Sequence, residues 1–148
     1  MTSLVPLLVA FPLMGAAISL IFGRRRKVQV AVSILTLTVV MIIAAVLLAS
    51  VSAEGSLAVS VGGWPVPFGI VLYVDQLAAL LVLISSVVLL AVLLFSVGQG
   101  AADGDDDTPV TIFHPSYLIL AAGIFNAFIA GDLFNLYVGF EILLVASY

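Results

Sequence analysis

The sequence has no cysteine, a single histidine and, in 148 residues, only four basic and eight acidic side chains. Each scarcity closes off a class of function. Without thiols there is no disulfide, no thiolate-held iron–sulfur cluster and no cysteine nucleophile. One histidine cannot by itself build a metal site. All four basic residues, Arg24, Arg25, Arg26 and Lys27, are contiguous, so no basic surface remains for nucleic acid, and no glycine-rich phosphate loop follows a strand. No nicotinamide, flavin or other cofactor motif is present, so no cofactor is expected. Charged residues make up 8% of the chain, against roughly 25% in soluble domains. What fills the space is apolar: 64% of residues are hydrophobic and the mean hydropathy is +1.40, the composition of an integral membrane protein.

A helix needs about 20 apolar residues to cross a hydrocarbon core of ~30 Å. Uncharged runs of that order predict transmembrane helices over about 4–22, 28–51, 77–97 and 117–130, with a fifth beginning near 133. The fourth run is short, but Pro115 suits a first helical turn and Gly131-Asp132 a turn out of the helix. The first run is expected to be a retained span rather than a cleaved signal, because "MTSLVPLL" carries no basic residue and "RRRK" follows the apolar stretch rather than preceding it. The expected fold is therefore all-α, a polytopic membrane bundle of about five helices forming one domain over 1–148. The positive-inside rule puts Arg24, Arg25, Arg26 and Lys27 in the cytoplasm and the amino terminus outside. The loop 99–114 then lies inside, and its acidic "DGDDD", which carries most of the net charge of -4, reads as a solvated loop. It lacks the spacing of a calcium loop.

Between the second and third runs, Val59, Val61, Phe68, Ile70 and Leu72 alternate loosely around Gly-Gly-Trp-Pro-Val-Pro, which predicts a small external β-hairpin lying on the bundle. Trp64 and Tyr73 would sit near the interface. Asp75, just before the third run, is placed to cap it, with ion handling as the other reading.

Polar residues inside the spans sort into two kinds. Ser33, Thr36, Thr38, Ser85 and Ser86 are expected to return hydrogen bonds to their own helices. Two ladders at spacing four in the fourth run, Gly123, Ala127, Gly131 and Ala122, Asn126, Ala130, predict close helix packing. Asn126 would lie inside the bundle, as packing or beside a water chain. His114 starts the same helix, in a capping or interfacial role or as a proton relay. Glu141 is different in kind. It lies eight residues beyond Leu133, about 12 Å deep and near the midplane, where an ionisable group costs at least ~2.5 kcal/mol and is a functional candidate facing a bundle interior or a hydrated cavity. Tyr137, four residues before it, and Tyr148, seven after, fall on the same helix face.

The stretches "GGWPVPFGI", "VDQLAALL" and, above all, "HPSYLILAAGIFNAFIAGDLFNLYVGFE" resemble the D-type subunit of the multisubunit Mrp-type cation/proton antiporters, a relative of the antiporter-like membrane subunits of respiratory NADH dehydrogenase. The resemblance implies a longer subunit of which this chain is the amino-terminal third, with the fifth helix ending early. It places Glu141 on the family's proton-handling glutamate, whose lysine partner on a later helix has no counterpart here, Lys27 being the sole lysine. The implied function is a plasma-membrane antiporter subunit, not an enzyme, that works with other subunits and the lipid bilayer to exchange protons for Na+ or K+. A proton-pumping subunit of an NADH dehydrogenase or membrane hydrogenase is the alternative, and a small accessory protein whose role is packing is the third reading.

Overall fold

Apolar runs broken by glycine, aspartate and basic residues fold into helices whose partly buried faces meet in one core. The computed structural model describes the chain except residues 24, 65–67, 101–103, 106–107 and 110–111, with only the backbone at 104–105 and 108–109. Among the described residues there are five α-helices: α1 (Leu7–Ile21), α2 (Arg26–Glu54), α3 (Gln76–Gly98), α4 (Phe113–Ile129) and α5 (Leu133–Ser147). A 3-10 turn, Thr2–Leu4, leads into α1. Three segments are long and apolar enough to cross a membrane, Thr2–Ile21, Arg26–Glu54 and Gln76–Gly98. The other two are apolar but shorter, at 17 and 15 residues, or about 25 and 22 Å of helix.

Helix ends follow local chemistry. Asp75 caps α3, its Oδ1 accepting from the Ala78 N–H at 2.7 Å, as expected for a short acidic side chain before an apolar run. Gly55, at φ 93°, ends α2. α4 begins four residues before the expected 117, because Pro115 falls in the first turn, where its missing N–H leaves no bond unmade.

The hairpin forms where expected, with Val59 and Leu72 on its inner side, but its strands are shorter than the alternation suggested. β1 (Leu57–Ser60) pairs antiparallel with β2 (Val71–Val74), with Val59 opposite Leu72 and Leu57 opposite Val74. Leu72 and Val74 turn into the core, while Phe68 is 86% exposed and Val61 and Ile70 are also exposed. A 3-10 turn at Val61–Gly63, with Gly62 and Gly63 at φ 72° and 71°, breaks the alternation beyond Ser60. Trp64 and Tyr73 are exposed; Pro65, Val66 and Pro67 of the turn lie outside the described residues. In the acidic loop, β3 (Gly104–Asp105) and β4 (Thr108–Pro109) make a two-residue ladder, while Asp103, Asp106 and Asp107 lie outside the described residues.

α4 is the centre of the bundle, packed against α1, α2, α3, α5 and β2. Leu118, Ala121, Phe125 and Ile129 on α4 are fully buried and join Leu8, Leu37, Val40, Leu47, Val82, Leu93 and Val74 in one core. α5 packs chiefly on α4, which leaves its far side uncovered.

Candidate functional site

α4 places polar side chains against three of its neighbours, α2, α3 and α5. At its first turn His114, 1% exposed, has Nδ1 at 3.1 Å from Ser33 Oγ on α2, with the ring edge-on to Phe113. One turn later the Tyr117 hydroxyl donates to the Leu89 carbonyl of α3 at 2.7 Å. Near the other end Asn126 Nδ2 lies 3.1 Å from both the backbone carbonyl and the side-chain oxygen of Asn135 on α5. The helix is thus pinned to three partners at three heights.

Two expectations need correction. His114 does not cap α4: Ile112 occupies the cap position with no side-chain bond, and the imidazole is buried between helices because Ser33 offers it a partner there. Ser33 accordingly does not bond back to its own helix. Thr38 and Ser86 do, to the carbonyls of Ile34 and Leu83 at 2.7 Å each.

The packing reading of the small-residue ladder holds where α4 meets α5. A Cβ on Gly123 would lie 2.9 Å from the Leu143 nitrogen, and one on Gly139 would lie 3.0 Å from Asn126 Nδ2 and 3.2 Å from the Ala127 nitrogen. Backbone meets backbone here, an approach only glycine permits. Gly131 belongs instead to the turn, where its N–H donates to the Val71 carbonyl at 2.8 Å.

The sequence candidates do not gather in one place. Glu141 is exposed on the side of α5 turned away from α4, with Tyr137 one turn earlier on the same face. Tyr137 is 61% exposed. Asn126 meets α5 on its opposite, buried side, at Asn135 and Gly139. His114 lies at the far end of α4, and Tyr148 at the exposed end of α5. Among the described residues no three His, Asp or Glu side chains come together. Among the described residues Glu141 is thus an outward-facing carboxyl one turn from Tyr137.

Sequence reasoning passed over Asp132 as part of a turn. Its Oδ1 accepts from the Asn135 N–H at 2.7 Å, capping α5, and its Oδ2 accepts from the Val71 N–H of β2 at 3.0 Å. These backbone donors, Val71 foremost, hold its carboxyl below the usual carboxylate range. A short acidic residue directly before an apolar run was the available signal, the same one that identified Asp75.

No protein-family model matches the chain. Individual proteins do. It is 32% identical over 148 residues to the D-type subunit of the Na(+)/H(+) antiporter of Alkalihalophilus pseudofirmus and 34% identical over 148 residues to that of Bacillus subtilis. The D-type subunit of a probable K(+)/H(+) antiporter of Rhizobium meliloti is 36% identical over 146 residues. The chain spans 29% of the length of the first two relatives and 26% of the third. Among solved structures, a chain of the Mrp complex from Dietzia sp. superposes with a TM-score of 0.89 at 27% identity, covering 99% of this chain and 26% of that one. A chain of a membrane-bound sulfane sulfur reductase, an archaeal respiratory membrane complex, gives 0.85 at 26% identity, covering 97% of this chain and 29% of that one. Over its whole length, then, this multi-pass membrane chain is homologous to the amino-terminal part of the D-type subunit of Mrp antiporters.

Proposed function

We propose that the chain serves a multisubunit monovalent cation/proton antiporter of the plasma membrane, as the amino-terminal membrane domain of its D-type subunit, and that Glu141 is a proton station in it. The observation that carries this reading is the place of Glu141, a carboxyl in the middle of an apolar helix and exposed on the uncovered side of α5. A carboxyl held against lipid near mid-helix costs at least ~2.5 kcal/mol. Such a residue is retained where its face meets protein or water and where its proton is exchanged. Protons and Na+ or K+ are the transported ions on this reading, other subunits of the complex are the partners, and the chain is a transporter component and not an enzyme. The amino terminus lies outside and the start of α2, with Arg25, Arg26 and Lys27, in the cytoplasm, following the positive charges.

Likeness to a respiratory sulfur reductase complex favours a second reading, in which the same proton path is driven by electron transfer in neighbouring subunits. Purifying the complex through this chain separates the two. Small hydrophobic partners support antiport, whereas flavin- or cluster-bearing partners support the redox-driven form. Within that complex, Glu141→Gln tests the proton station itself: proton-coupled ion movement stops while assembly persists.

A further inference from the structure

We infer that Asp132 is a positioning residue, which fixes the depth and rotation of α5, and so the place of Glu141, by tying the start of that helix to the external hairpin. This role rests on the proton-station reading of Glu141.

Both carboxylate oxygens are in use, on different elements. One caps α5 through Asn135 N, and the other reaches β2 through Val71 N, 61 residues earlier in the chain. The backbone beside it makes the same connection. Gly131 N donates to the Val71 carbonyl at 2.8 Å, Ala130 bridges to Leu72 in antiparallel fashion, and a Cβ on Gly131 would stand 2.9 Å from the Val71 oxygen. The α4–α5 turn is in effect a further strand on the hairpin's edge, locked by one carboxylate.

α5 needs such a lock. Its other support is α4, met through Gly123, Gly139 and the Asn126–Asn135 pair. Glycine against backbone sets how close two helices come but offers few side-chain ridges to resist sliding or turning. Asp132 is nine residues before Glu141, about 13 Å along a rigid helix, so a displaced start displaces the carboxyl by a similar amount. Aspartate suits the task because it offers two acceptors on a short stem. Asparagine has one acceptor, and its amide would present N–H groups to an N–H.

The test uses the complex purified with this chain, reconstituted into vesicles, with D132A, D132N and E141Q compared. We expect D132A and D132N to slow ion exchange about 10–100-fold, the scale of misplacing a reacting group by about an ångström. The variant carrying L72C and A130C adds the decisive arm, since facing residues of an antiparallel bridge lie within disulfide reach. In the D132A background, oxidation of that pair restores exchange and reduction removes it again, which a direct role for the carboxylate in handling ions would not allow. Should D132A lower the yield of complex, D132N, which keeps one acceptor, gives the same comparison. Full activity in D132A alongside inactive E141Q overturns the positioning role and leaves the proton station intact. An assembled D132A complex that the disulfide fails to restore also overturns it. Full activity in E141Q overturns the reading beneath it.

Discussion

Two carboxylates nine residues apart, Asp132 and Glu141, meet opposite surroundings on α5. Asp132 accepts hydrogen bonds from backbone N–H groups of two elements, while Glu141 stands exposed on the flank of α5 away from α4. Glu141 was legible in the sequence because a charge in an apolar run stands out whatever the fold. The tie from Asp132 to the hairpin was not, because Val71 is distant along the chain and only the folded turn brings it close. The lowered pKa of Asp132 has a consequence for stability. A carboxyl whose folded pKa lies below its unfolded value stabilises the fold above that unfolded value, near 3.8, and loses the contribution as pH falls through the depressed one. Protection of the Val71 amide, relative to its intrinsic exchange rate at each pH, should therefore persist from neutral pH down to the ordinary carboxylate range and fall only below it; in D132N, lowered protection is expected already at pH 7. Uniform protection in D132N would show that the carboxylate does not hold the strand. For Glu141 itself, Glu141→Asp should keep part of the ion exchange, since the titrating group survives on a shorter stem.

Among the helices, what the sequence conveyed depended on period. Long apolar runs predicted α1, α2 and α3 to within a few residues, because lipid-compatible length and polar ends are local properties. The hairpin's extent escaped, since a 3-10 turn with two glycines at positive φ ends the alternation after Ser60. The Ser33–His114 bond escaped because it joins helices 81 residues apart. The α4–α5 contact makes a sharp prediction. Gly123→Leu drives a side chain into the backbone of Leu143 and Gly139 and should cost about 1–3 kcal/mol as overpacking, read as a lower unfolding temperature in detergent. The same change at Gly98, which has open space around it, should have little effect. His114→Ala leaves Ser33 Oγ buried without this partner and should cost about 1–3 kcal/mol, again by thermal unfolding; equal stability in the variant would contradict the role of that pair in joining α2 to α4.

For the whole molecule, the arrangement is a bundle centred on α4, with a hairpin over one end and one flank of α5 left uncovered. The proposed orientation places the four basic residues in the cytoplasm. A cysteine at Gly62 should then react with an impermeant reagent from outside, and one at Gly104 only after the membrane is opened. The homology to the antiporter subunits spans 29% of those relatives, and the uncovered flank of α5 carries the one acidic residue within an apolar helix interior among the described residues. On the proposed reading, function turns on what Glu141 does in the assembled complex. The most direct measurement is ion-driven proton movement in vesicles holding the complex with Glu141→Gln, followed across a range of pH beside the wild type. Exchange should be lost at every pH with the complex still assembled; exchange at the wild-type rate across that range would rule out Glu141 as the proton station.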